Sequence, residues 1–341
     1  MTLYAGIDLH SNNCFLAIRD QDGKRIFHKK IKNIPGLILS TLEPHKEDIA
    51  QIAVESTYNW YWLVDMLMEE NYAVKLANPS AIQQYKGLKH VDDKNDAYWL
   101  AEMLRIGVLP TGYIYPKEIR PIRDLLRKRS QLVKLRTSII LSLQNIILRN
   151  QCIMINVAKI HQKTRNNVAE ALQGTDDYLI LSGDVSKETI DFLSQKILQI
   201  EHDLEQKLKS NSAYTFLHTV PGVGKILALT ITLETGPIER FPTVGDFTSY
   251  CRKAPSKWLS NNKKKGKGNT KNGNKYLSWA FAEAVQKARQ YDKIARDYFN
   301  KKVSKSAHPA VAHAALANKL ARASYYIMRD EVPFDHRKLF A

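Results

Sequence analysis

Four carboxylates stand where their positions suit chemistry. Asp8 sits at the end of the apolar run LYAGIDL, and Glu55 ends DIAQIAVE. Asp93 and Asp96 lie three residues apart at the start of a helical segment, so they share one face of that helix. Carboxylates brought together repel one another unless cations neutralise them. Oxygen-only donors select hard ions, Mg²⁺ or Mn²⁺. Two such ions about 4 Å apart stabilise the attacking and leaving oxygens of a phosphoryl transfer. Taken singly, each acid is more often a surface residue or a helix cap. Their ordered placement at element ends is what favours a site. Asp92 is the weaker candidate for the third ligand.

Two further segments carry possible chemistry. Thr219–Ile231, TVPGVGKILALTI, places Gly222 and Gly224 between two apolar helical stretches. Such a helix-hairpin-helix brings backbone N–H groups close to a DNA phosphate. An ordinary glycine turn explains the residues equally well, and the surrounding charge tilts the reading toward DNA. Residues 251–281, CRKAPSKWLSNNKKKGKGNTKNGNKYLSWAF, hold Ser260 in a loop rich in Lys, Gly and Asn. The lysines Lys257, Lys263, Lys264, Lys265, Lys267 and Lys271 suit backbone phosphates as point charges. A serine among them can attack a phosphodiester if a metal or base activates it. Most serines in polar loops are structural.

The elements that must position these residues follow from hydrophobic period. LYAGIDL, NCFLAIRD and KRIFHKKI read as strands, the last two joined by a turn at 21–23. Pro35-Gly36 opens a helix, DIAQIAVES is a buried strand, NWYWLVDMLMEENY a helix, AVKLAN a strand and DKNDAYWLAEMLRIGV a helix. The order βββαβαβα predicts one mixed sheet with helices packed on it. Its first and fourth strands are neighbours, which sets Asp8 beside Glu55 and lets the last helix bring Asp93 and Asp96 over the same edge.

From about residue 117 the pattern becomes helical. Residues 117–149 hold nine Lys/Arg against Glu118 and Asp124, at amphipathic spacing. This is a long basic helix, and Arg127, Lys128 and Arg129 are its candidate nucleic-acid contacts. Residues 186–210 repeat apolar positions every three or four residues, as a coiled-coil or an antiparallel helical pair does. They form a connector or a dimerisation arm. Domains are expected at 1–116, 117–212 and 213–341, with the last mostly helical.

Composition bounds the partners. The 341 residues carry a net charge of +17, which points to a polyanion, most often nucleic acid. Apolar content of 44% is enough for packed cores. Three scattered cysteines exclude a disulfide framework and a cysteine-based zinc knuckle, and suit a reducing cytoplasm. No secretory signal and no apolar run of membrane-spanning length is evident, so no membrane partner is expected.

The N-terminal region resembles the RNase H/resolvase (RuvC-like) fold of Holliday-junction resolvases. Sugar kinases and actin-like ATPases share that fold but need glycine-rich phosphate loops, and the first hundred residues contain none. TVPGVGK is not a Walker loop either, because its first glycine is missing and Ile226 stands in place of Ser/Thr. Over nearly its whole length the chain resembles transposases of the DEDD insertion-sequence family, bridge-RNA-guided recombinases related to Piv-type DNA invertases. GIDLH, VEST, ANPSAIQQYKG and DKNDAYWLAEML carry the N-terminal resemblance. TVPGVGKILALTI, the APS–x₃–S segment and KGNTKNGNKYLSWA carry the C-terminal one.

The resemblance implies that Asp8, Glu55, Asp93 and Asp96 form a metal-binding tetrad for Mg²⁺ or Mn²⁺. It also implies that Ser260, five residues after Pro255, attacks DNA to form a phosphoserine link. Donor and target DNA, an element-encoded guide RNA and a homo-oligomer, dimer or tetramer, are the implied partners. Arg252-Lys253-Ala254 and Asn261 depart from the family pattern, so Ser256 remains a rival nucleophile. A metal-dependent nuclease or junction resolvase, in which water attacks, is the alternative enzyme. A non-catalytic nucleic-acid-binding protein is the alternative of another class.

Overall fold

A computed structural model describes residues 1–82, 93–162, 166–254, 258–260, 263–266, 272–306 and 308–340. Asp92, Ser256, Lys257, Asn261, Lys267 and Lys271 lie outside the described residues. The chain divides into two compact units, Met1–Lys117 and Glu118–Ala341.

The first unit is built on a mixed sheet. β1 (Leu3–Leu9), β2 (Asn13–Asp20) and β3 (Arg25–Lys32) form an antiparallel meander. β4 (Ile49–Glu55) and β5 (Val74–Ala77) then run parallel to β1, and short β6 (Thr111–Gly112) closes the edge. The order is β3-β2-β1-β4-β5-β6. This order, with the helices α1 (Pro35–Leu42), α2 (Tyr61–Glu69) and α3 (Asp93–Arg105), fits an RNase H-like fold.

Period-two alternation divides the sheet's two faces. Leu3, Ala5, Ile7, Leu16, Ile18, Ile52 and Val54 pack with Ile38 and Leu42 of α1 and with Leu63, Val64 and Leu67 of α2. The opposite face is small where α3 crosses it. Gly6, Ala17, Ala53 and Ala77 meet Ala97, Leu100, Met103 and Leu104 there.

The second unit is helical apart from one hairpin. α4 (Arg120–Gln151) and α7 (Asp177–Leu208) run antiparallel, with α5 (Val157–Ile160) and α6 (Asn167–Leu172) between them in sequence. The direction is fixed by Arg129 facing Glu201 while Arg136 faces Ser194. α8 (Ser212–Leu217), α9 (Lys225–Thr235), α10 (Val244–Tyr250), α11 (Lys275–Tyr291), α12 (Lys293–Ser306), α13 (Pro309–Asp330) and α14 (His336–Phe340) complete the unit. Its core gathers Leu229, Ile231, Phe247, Phe281, Val285, Leu316 and Leu320.

The middle of residues 247–282 differs from the expected loop. It contains a hairpin of β7 (Trp258–Ser260) and β8 (Lys263–Gly266). The strands are only three and four residues long, and β8 is lysine-rich, so neither shows the apolar alternation that marks a strand.

Candidate functional site

The acidic edge is built by strand register. β1 and β4 are parallel with Ile7 opposite Val54, so Asp8 and Glu55 occupy the next positions along neighbouring strands. Asp8 lies two residues beyond Gly6, on the face that α3 covers. A Cβ at Gly6 would lie 2.1 Å from the Ala97 carbonyl oxygen and 2.7 Å from the Ala101 nitrogen, so only glycine permits this approach. Arg105, at the far end of α3, donates to the Gln21 carbonyl beside the Leu3 end of β1, so the first turn of α3, which holds Asp93 and Asp96, lies toward the Asp8 end.

Asp8 is buried, at 4% exposure, and its Oδ2 is 3.3 Å from Nε2 of His10. His10 was not singled out by the sequence reading. The signal was present, because His10 is two residues after Asp8 and period two returns it to the same face. Neighbouring loops fix this end of the sheet. Asn33 and Asn59 donate from Nδ2 to the His10 carbonyl at 2.9 and 3.0 Å, and the exposed Tyr58 hydroxyl donates to Ser11 Oγ at 3.1 Å. Burial, then the nearby Asp8 charge, pushes the Cys14 thiol up to about 12. Cys14 is therefore neither a thiolate ligand nor a nucleophile.

Asp8 and Glu55 offer carboxylate oxygens, the donor type that a hard divalent cation takes. Among the described residues, no three His, Cys, Asp or Glu side chains gather closely enough to hold an ion.

In the second unit, α8, the turn at 218–224 and α9 follow the expected helix–turn–helix course. The two glycines of that turn differ. Gly222 has φ +81°, and a Cβ there would lie 2.1 Å from the Ala284 carbonyl oxygen of α11. Its small size serves the packing of this turn against α11. Gly224 is the N-cap of α9 and has open space around it.

Two arginines of the basic helix α4 make internal ion pairs. Arg127 donates from Nε to Glu234 Oε1 at 2.7 Å and from Nη2 to Oε2 at 2.9 Å, and its guanidinium stacks over the Tyr276 ring. Arg129 pairs with Glu201 at 2.6 Å. Internal carboxylates hold both side chains. Lys128 is exposed and bonded only along its own helix, to Gln131.

Glu234 is the acid that sequence reasoning missed. It is 1% exposed and sits inside ETG at the end of α9. Besides Arg127, it accepts from Arg123 Nε at 3.0 Å and from Asn274 Nδ2 at 2.7 Å. Burial pushes its carboxyl up, but the Arg127 bond, the Arg123 and Arg127 charges and the Asn274 bond outweigh burial and hold it below the usual carboxylate range.

The serine segment is anchored at its base. In the hairpin, Ser260 pairs with Lys263, Leu259 with Lys264 and Trp258 with Gly266. Lys265 lies on the same strand. Just before the segment, Lys253 is half-buried, and burial lowers its ammonium below the ordinary lysine range.

A mixed sheet edged by acids at one end, followed by a helical unit carrying a basic hairpin, defines a two-part α/β protein suited to phosphodiester chemistry. Residues 5–150 match the model of IS110-type DEDD transposases, described as "Transposase". Residues 214–300 match "Transposase IS116/IS110/IS902 family". The transposase for insertion sequence element IS1328 of Yersinia enterocolitica is 21% identical over 330 residues, covering 94% of this chain and 95% of the relative. The transposase for IS1111A of Coxiella burnetii is 23% identical over 281 residues, covering 80% and 74%. A probable family 20 transposase of Pseudomonas aeruginosa is 22% identical over 289 residues, covering 82% and 84%. The chain belongs to the IS110/IS116 family of DEDD transposases.

Proposed function

We propose that this transposase cuts and rejoins donor and target DNA through a phosphoserine intermediate, with an element-encoded RNA pairing to both DNAs. The metal part of this reading is supported by the placement of Asp8 and Glu55 at adjacent strand positions, with the first turn of α3 toward the same end, and the serine part by Ser260 lying opposite Lys263 in the hairpin. Asp8, Glu55, Asp93 and Asp96 would hold Mg²⁺ or Mn²⁺. A cation held there would supply electrostatic stabilisation of the charge that develops on a scissile phosphate.

The chain's own residues do the rest. Ser260 Oγ loses its proton and bonds to phosphorus as one P–O ester bond breaks, and the released sugar oxygen takes up a proton in exchange. One phosphoester replaces another, so rejoining runs the same exchange in reverse and needs no ATP. Lys263, Lys264 and Lys265, with Lys257, Lys267 and Lys271, supply positive charge along the backbone on either side of the serine. A guide RNA is recognised through backbone charge and shape, for which Lys128 on α4 and the hairpin lysines are suited. Synapsis of two duplexes requires a dimer or tetramer.

The test is strand cleavage in Mg²⁺ with Asp8→Ala and Asp93→Ala. Both variants should lose cleavage and retain nucleic-acid binding. Near wild-type cleavage by either one overturns the tetrad. The acidic edge taken alone also suits a second reading, a resolvase-like nuclease in which water attacks. That enzyme would leave no protein–DNA adduct.

A further inference from the structure

We propose that Glu234, acting through Asn274, is a positioning residue for the serine-bearing hairpin. The inference rests on the reading of Ser260 as the nucleophile.

The described residues that flank the serine segment, Arg252 before it and 272–274 after it, meet at one place on the helical body. On the outgoing side, Arg252 takes a left-handed conformation, φ 56°, at the end of α10. Its Nε donates to the Asn272 carbonyl at 2.8 Å and its Nη2 to the Gly273 carbonyl at 3.0 Å. On the returning side, Gly273 has φ +81°, and a Cβ there would lie 2.5 Å from the Tyr250 carbonyl oxygen. The Asn274 backbone N–H donates to that same carbonyl at 2.6 Å. The two feet of the segment are therefore bound to each other.

Asn274 ties this foot to the body through both ends of its amide. Oδ1 accepts from the Tyr276 and Leu277 N–H groups at 2.8 and 3.1 Å, capping α11. Nδ2 donates to Glu234 Oε2. Arg123 and Arg127 of α4 hold the Glu234 carboxylate, so it cannot rotate away. The path runs from α4 through Glu234 on α9 to Asn274 at the hairpin's foot. Each link is a directional hydrogen bond to a charged group.

Stability alone does not require such a network. Well-packed apolar residues in place of a buried ion pair are often as stable or more so, and the best-attested use of buried charge is to specify one arrangement. Here the arrangement specified is the point from which the nucleophile's strand emerges.

The experiment follows adduct formation by the full chain on a nicked suicide DNA in Mg²⁺. It measures the single-turnover rate at saturating DNA, the DNA affinity and the melting temperature. Asn274→Ser keeps an oxygen to cap α11 but has no N–H for Glu234. It should lower the rate about tenfold or more, as expected when a reacting group is displaced, while affinity and melting temperature stay near wild type. Glu234→Gln should slow the same step, and the double variant should be no slower than the slower single one.

Asn274→Ser reacting at the wild-type rate overturns the positioning role. Rate and affinity falling together with the melting temperature, in both variants, also overturns it, because the network is then structural only. If the wild type forms no adduct, the serine reading fails and this inference falls with it. A wild-type adduct with an unaffected Asn274→Ser sinks the inference alone.

Discussion

Gly6 controls how near α3 comes to the strand that carries Asp8. Its missing Cβ leaves room for the Ala97 carbonyl, and Gly6→Ala would force α3 outward. We expect a loss of about 1–3 kcal/mol in urea unfolding, the usual cost of overpacking. Cleavage should fall further than stability explains, because Asp93 and Asp96 move with the helix. Cleavage that tracks stability alone would separate α3 from the site. The cysteines give a second check on this scale. Cys14 and Cys251 are buried, burial raises both thiols, and Cys152 is exposed. Alkylation of the native protein near pH 8 should therefore modify Cys152 alone, as read by peptide mass spectrometry. Rapid labelling of Cys14 would contradict the packing around Asp8. The positions of Asp8 and Glu55 were legible because each ends an apolar strand, and sheet order then makes them neighbours. His10 and Glu234 were overlooked because their roles depend on what they touch.

At the scale of elements, α4 and α9 are joined by a buried ionic contact. Arg123 is 8% exposed and Glu234 1%. Glu234→Ala leaves the guanidinium groups without their carboxylate and should cost about 3–5 kcal/mol. The Glu234 carboxyl is held below its ordinary value in the folded state. Its stabilising contribution is therefore fully present at neutral pH and is lost as pH falls through the acid range, below the ordinary carboxylate value. Glu234→Gln should flatten the acid limb of stability against pH, measured by thermal melting. An unchanged acid limb would mean that other carboxylates set it. The strands and long helices were legible because their periods of two and three to four depend only on local residues. The fate of the α4 arginines was not. Glu234 lies 107 residues from Arg127, and Glu201 lies 72 from Arg129, so a local charge count sees the cations without their partners. The packing of Gly222 was hidden for the same reason, since the helix it meets is distant in sequence. The hairpin at 258–266 was hidden because lysine, not an apolar alternation, fills its second strand.

For the molecule as a whole, the charge of +17 remains the strongest global signal. With Arg127 and Arg129 engaged internally, the acid-free span from Phe247 to Ala282 is the principal basic surface that the sequence offers. Binding should weaken with salt, with a log–log slope of about −0.7 to −0.9 for each phosphate neutralised. Replacing Lys263, Lys264 and Lys265 together by Gln should flatten that slope, whereas Lys128→Gln alone should change it by less than about one unit. An unchanged slope in the triple variant would turn the hairpin away from the nucleic acid. The central claim is the covalent serine step, and a nicked suicide substrate tests it most directly. The wild type should trap a protein–DNA adduct that survives denaturation, and Ser260→Ala should trap none while still binding DNA. An adduct that persists in Ser260→Ala but disappears in Ser256→Ala moves the nucleophile to Ser256. Cleavage by the wild type without any adduct contradicts the serine mechanism and leaves the hydrolytic one.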